Sequence, residues 1–259
     1  MLEVKGLSVT VNQTNLLNDV SFSAPLHQIT GILGANGAGK STLLKAIMGQ
    51  IDATGDIVFF SHNMASYNAI ERAKKLTFVS QHESIDARIK VIDYVLLGRL
   101  AHQNHLSSFN EVDYEIALKA LAYFDAEAFV KKSFQTLSGG ERQRVQLSRA
   151  LCQLAQDKGV YEGYLLLDEY SAHMDIYYQR YTLEMLKRLV HAYPLGILLI
   201  GHELNLALHY YDQCLLLKNA HAIGFGPSQN ILNDQLIYQA FNTKVRQLEV
   251  GGRVHLLME

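Results

Sequence analysis

With 259 residues, 49% of them hydrophobic and 19% charged, the chain can bury a sizeable core and suits one α/β domain, alone or with a small inserted subdomain. Three prolines and the lack of any tract biased toward Gly, Ser or Pro exclude a disordered chain. The formal net charge of -2 gives no electrostatic reason for a polyanionic partner, so no nucleic acid is expected.

The chain opens Met1-Leu2-Glu3-Val4-Lys5-Gly6 without the pattern of a signal peptide. Its longest apolar stretches, such as residues 197–200 and 165–167, fall far short of the roughly 20 needed to span a bilayer. A cytoplasmic chain is therefore expected, with any membrane role coming from partners. Cys152 and Cys214 sit in hydrophobic segments and read as buried free thiols.

From residue 2 to 23 apolar positions alternate (Val4, Leu7, Val9, Val11, then Leu17, Val20, Phe22) around polar residues 12–15, which predicts antiparallel strands joined by a hairpin. Residues 29–33 form a short apolar run that ends in a glycine-rich turn. Leu43, Leu44 and Ile47 then follow at helical spacing. Buried strands are predicted at 57–60, 76–79, 164–168, 197–201 and 214–217, with helices between several of them, so the sheet should be largely parallel. Between 81 and 136 the strand signal gives way to helices at 91–97 and 111–124, which reads as an inserted helical subdomain. A short helix near 234–241 and β-like runs at 245–248 and 254–257 make a terminal appendage.

Three motifs carry chemistry. Gly34-Ala35-Asn36-Gly37-Ala38-Gly39-Lys40-Ser41, with Thr42 behind it, lies between a strand and a helix. There glycines let backbone N–H groups curl around phosphates, Lys40 can reach the β and γ phosphates, and Ser41 can ligate magnesium. Leu165-Leu166-Leu167-Asp168-Glu169 is an apolar strand ending in two carboxylates. Asp168 can hold the magnesium shell and Glu169 can polarise the attacking water, although many buried strands end in an acid at the surface. Leu137-Ser138-Gly139-Gly140-Glu141 precedes a helix over 142–153. Ser138 and Glu141 fit a capping box, and the two glycines leave a second anion-binding helix start.

Together these motifs resemble the ATP-binding-cassette (ABC) family, with residues 137–141 matching its signature, and the resemblance runs along essentially the whole chain. It implies a phosphate-loop NTPase fold: a mostly parallel sheet with an N-terminal antiparallel β subdomain and an inserted α-helical subdomain. The implied division is a core of residues 1–80 and 137–226, a helical subdomain of 81–136 and a C-terminal appendage of 227–259. The resemblance further implies a homodimer in which the signature of one copy closes over the γ-phosphate held by the other. By the same resemblance Gln81 matches a glutamine that touches magnesium and water, His202 a histidine that contacts the γ-phosphate, and Asp175 an aspartate between subunits. Two transmembrane permease subunits, with a periplasmic or surface solute-binding protein reached through them, are the implied partners. The implied location is the cytoplasmic face of the inner membrane.

Departures from the family pattern are visible. The run Glu169-Tyr170-Ser171-Ala172-His173-Met174-Asp175 lacks the usual Pro-Thr after the catalytic acid, which leaves the turn there open. Val11 stands where an aromatic residue commonly stacks on adenine, so weaker base discrimination is expected; strict preference for ATP over GTP would refute it. Ala35-Asn36 in place of the frequent Pro-Asn should be harmless. Within the family, Val95-Leu96-Leu97-Gly98-Arg99, the Gln81-His82 pair, His202-Glu203-Leu204-Asn205-Leu206-Ala207 and the β-like tail resemble importers of iron chelates, haem and cobalamin. Residues 136–147 and the insert 155–163 are most similar to haem importers, with cobalamin or ferric siderophore as alternatives. A soluble ATPase of DNA repair or translation would carry a long coiled coil or two cassettes, and neither is seen here. An inert nucleotide-binding or scaffold module is a third reading, which fails if the chain turns over ATP and Glu169→Gln abolishes that turnover.

Overall fold

Alternating apolar residues at the N-terminus become one buried face of an antiparallel ladder in a computed structural model. It describes residues 1–80, 88–103, 108–156, 159–171 and 173–258. In chain order the strands and α-helices are β1 (Leu2–Val11), β2 (Thr14–Ala24), β3 (Gln28–Gly34), α1 (Lys40–Ile47), β4 (Thr54–Phe59), β5 (His62–Asn63), α2 (Ala69–Ala73), β6 (Leu76–Val79), α3 (Val91–Leu96), α4 (Glu111–Tyr123) and α5 (Gly139–Leu154). There follow β7 (Gly163–Leu167), α6 (Ile176–Ala192), β8 (Leu195–Ile200), α7 (Leu204–Tyr210), β9 (Gln213–Lys218), β10 (His221–Pro227), α8 (Ser228–Ile231), α9 (Asp234–Phe241), β11 (Val245–Val250) and β12 (Arg253–Met258). Contacts divide the chain into two units, Met1–Ser66 with Gly196–Glu259, and Tyr67–Leu195.

In the first unit β2, β1, β4 and β5 form an antiparallel sheet in that order. Leu2 and Val4, then Leu7 and Val9, of β1 are buried, each pair at period two, and a register shift between Val4 and Leu7, where Gly6 has φ of 59°, returns the apolar residues to one face. The run at 57–60, expected among the parallel strands, belongs instead to this sheet: β4 pairs antiparallel with β1, Leu2 opposite Phe59. Within it only Phe59 is fully buried, whereas Ile57 and Val58 are half-exposed, the burial of a strand covered on one side. β3 pairs in parallel with β8 on one side and β9 on the other. β9 in turn carries the antiparallel β10. β3 and β8 bury almost every residue, the mark of strands covered on both faces. The terminal appendage is the hairpin β11–β12, whose Leu256 is gripped by both backbone groups. Asn205 Nδ2 donates to the Leu256 carbonyl at 3.0 Å, and the Leu256 N–H donates to Asn205 Oδ1 at 2.7 Å.

In the second unit β6 and β7 pair in parallel, with Val79 opposite Leu167. Helices α3 and α4 stand where the inserted helical segment was expected. Arg99, in the 3-10 helix Leu97–His102 that follows α3, forms a buried ion pair with Asp113 of α4, Nε to Oδ1 at 3.0 Å, and also donates to the Cys152 carbonyl at 3.2 Å near the end of α5. Both cysteines are buried and unpaired, and burial pushes each thiol up to about 12. Among the described residues no helix is long and apolar enough to cross a membrane.

Candidate functional site

Strand β3 delivers the chain into the phosphate loop. A Cβ on Gly34 would stand 2.3 Å from the Leu217 carbonyl oxygen and one on Gly39 2.7 Å from that of Leu16, so these two positions admit no side chain. Gly37 and Gly39 have φ of 79° and 103°, in the left-handed region that turns successive N–H groups toward one side. Gly39 is also the N-cap of α1 and has no side chain with which to cap it. The first-turn amides thus keep their anion-binding capacity. Lys40 is buried, and its ammonium donates to the carbonyls of Gly34 at 2.8 Å and Ala35 at 3.0 Å. Ala35, Asn36 and Gly37 form the exposed rim; Ser41 and Thr42, half-buried, open α1.

The parallel register brings His202 to the same edge. Ile32 is opposite Ile200, so Gly34 and His202 each follow two residues beyond a matched pair at the carboxyl ends of adjacent strands. His202 is exposed there. Its strand is spaced by Tyr211, which sequence reasoning missed. A Cβ on Gly31 would meet Tyr211 Cδ2 at 2.2 Å, and one on Gly201 would meet Tyr211 Oη at 2.4 Å. Gly31 inside β3 and Gly201 just past β8 mark a close approach of another group, but nothing near them says which residue makes it. Val11 ends β1 at the hairpin and is 45% exposed.

In the second unit the two carboxylates end β7. Asp168 is buried, and its N–H continues the parallel ladder by donating to the Val79 carbonyl at 2.9 Å. Glu169 has φ of 53°, rare for a side-chain-bearing residue, and this turns the chain sharply out of the strand. The turn left open by sequence is therefore left-handed at Glu169 itself, with Tyr170 buried behind it. Gln81, with His82, lies outside the described residues.

The signature segment opens α5 with Ser138 as its N-cap, the helix starting at Gly139, three residues before the expected 142–153. Glu141 N–H donates to Ser138 Oγ at 3.3 Å, and Ser138 N–H donates to Glu141 Oε2 at 2.7 Å. That backbone bond above all holds the Glu141 carboxyl below its usual range, with help from the Ser138 hydroxyl and the Lys132 and Arg144 charges. Ser138, Gly139 and Gly140 border a cleft of about 390 Å³ whose other wall includes His173, Met174 and Asp175. The glycines make room for that wall: a Cβ on Gly140 would lie 2.9 Å from the His173 carbonyl oxygen. Asp175 caps α6, its Oδ1 accepting the Tyr178 N–H at 2.9 Å.

Residues 17–171 match the ABC transporter family model. The chain belongs to the ABC transporter family. Among curated ABC proteins it is similar to Hemin import ATP-binding protein HmuV of Myxococcus xanthus, at 32% identity over 97% of this chain and 93% of that one. It also resembles the protein of the same name from Burkholderia ambifaria, at 34% identity over 97% and 96% of the two chains. Among solved structures it matches a chain of a metal-chelate type ABC transporter in an inward-facing conformation, with a TM-score of 0.83, 26% identity and coverage of 100% and 97%. An ABC cassette of this kind is a nucleotide-binding ATPase coupled to transport. In this ABC chain the described site residues fall into two groups. The phosphate loop and His202 lie in the first unit, and Asp168, Glu169, the signature and Asp175 lie in the second.

Proposed function

We propose that this chain hydrolyses ATP to drive haem import across the cytoplasmic membrane, as one of two copies docked on a pair of permease subunits supplied by a solute-binding protein. The observation that carries the reading is the presence, in one chain, of two anion-binding helix starts, at Gly39 and at Ser138. The near-full-length likeness to hemin import proteins supplies the substrate. We assign the core to residues 1–80 and 137–226, the helical subdomain to 81–136 and the appendage to 227–259.

In this reading residues 34–42 cradle the triphosphate, and Ser138, Gly139, Gly140 and Asp175 meet the ATP of the other copy. Ser41, Gln81 and Asp168 offer the hard oxygen donors that suit Mg2+, and they would hold it. Bound there, magnesium neutralises phosphate charge. Glu169 orients and polarises the attacking water, while His202 donates to the γ-phosphate from the loop edge. ATP favours the closed pair and hydrolysis the open one, which is how differential binding moves the permease.

The test is growth, under iron limitation with haem as the only iron source, of a strain lacking this chain. Rescue by the wild type but not by Glu169→Gln is expected. Normal growth without the chain would overturn haem as the substrate.

A further inference from the structure

The cleft beside the signature helix is lined by Ser138, Glu141, Arg144, His173, Asp175 and Tyr178 among others, and their charges are mostly committed. Arg144 is 5% exposed: its Nη1 donates to Asp125 Oδ2 at 3.0 Å and to the Phe124 carbonyl, and its guanidinium lies 3.9 Å over the Tyr178 ring. Tyr178 donates its own hydroxyl to Asp125. Glu141 and Asp175 are both carboxylates employed as caps, and both oppose an incoming anion. Apart from the helix amides and the Ser138 hydroxyl, the exposed side-chain donor on this wall is the imidazole of His173, since Arg144 is buried and Tyr178 half-buried.

Gln143 faces His173 with both ends of its amide. Its Oε1 accepts the His173 backbone N–H at 3.3 Å, so the other arm, the Nε2 amino group, faces His173 Nδ1 at 3.5 Å. The tautomer that accepts this amino group at Nδ1 carries its proton on Nε2. Among the described residues Nε2 has no hydrogen-bond partner. The ring is exposed and lies against the helix start, its Cδ2 3.4 Å from where a Gly139 Cβ would be.

We infer that His173 is a further phosphate-contacting residue of the signature end, its Nε2–H donating to the γ-phosphate of an ATP held by a second copy of this chain. The inference rests on the sandwich reading above and adds to it a side-chain donor that compensates for Glu141 and Asp175. Selectivity for triphosphate over diphosphate at the pairing step then depends on His173.

The test uses the full chain in a Glu169→Gln background, measuring by light scattering the Mg-ATP concentration that half-saturates pairing. His173→Ala should raise it roughly tenfold, the loss of one charge-assisted hydrogen bond, and His173→Gln, which restores an N–H donor, should recover most of that. An unchanged half-saturation overturns the inference. So does an equal rise for His173→Gln and His173→Ala accompanied by equal falls in thermal midpoint, which would make His173 packing alone. Failure of the Glu169→Gln parent to pair with Mg-ATP, even with membrane partners present, overturns the sandwich itself and is read before His173 is changed.

Discussion

The Lys40 ammonium donates to the Gly34 carbonyl at 2.8 Å, so the cation of the phosphate loop is anchored by the backbone of the loop it serves. Each charge-assisted bond of this kind is worth about 1.5–3 kcal/mol when its partner is retained. Lys40→Ala should therefore weaken ATP binding by more than about tenfold, read by equilibrium titration with a fluorescent nucleotide. Lys40→Arg should not rescue it, because the planar guanidinium cannot replace a compact ammonium between two carbonyls. Full affinity in either variant would remove Lys40 from the phosphate site.

Glu169 leaves β7 with φ of 53°, and glutamine can occupy the same turn at the same cost. Glu169→Gln should keep the fold and nucleotide affinity while turnover falls by about 10²–10⁴, the range of a general base. Steady-state phosphate release alongside a binding titration separates the two. Unchanged turnover would assign the base elsewhere.

How far the molecule could be read in advance depended on whether each feature is local. The β1 alternation, the loop ending at Lys40 and the Ser138–Glu141 box are written in neighbouring residues, and the structure reproduces them. β10 was missed because Gly224 and Gly226 interrupt a strand whose residues are mostly half-buried, which blurs its alternation. α2 buries none of its residues and so has no apolar period to detect. Tyr211 and Gln143 were invisible for a different reason. Their partners, Gly31, Gly201 and His173, are distant in sequence and are brought to them only by the fold.

The capping box makes the signature helix start acid-sensitive. Because the folded state lowers the Glu141 carboxyl below its unfolded value, the stability it contributes is present above the unfolded value and is lost as pH falls through the folded one. Glu141→Gln removes that proton uptake. Its unfolding midpoint should vary less with pH than that of the wild type in the acid carboxylate range, measured by thermal denaturation from neutral to acidic pH. Parallel curves for the two proteins would show that the box contributes nothing to acid stability.

The Arg99–Asp113 pair offers the sharpest stability test. Both side chains are buried, and Asp113 Oδ2 also accepts the Asn110 N–H at 3.1 Å, the capping box of α4. Arg99→Met leaves a buried carboxylate without its cation and frees the carbonyls near the end of α5. It should destabilise by about 3–5 kcal/mol. Asp113→Asn strands the guanidinium in turn but retains a cap for Asn110. The double variant should lose markedly less than the sum of the two, because neither charge is then left alone in the interior. Denaturant unfolding of all four proteins closes the cycle. Strict additivity would mean that the two charges, 3.0 Å apart, do not stabilise one another.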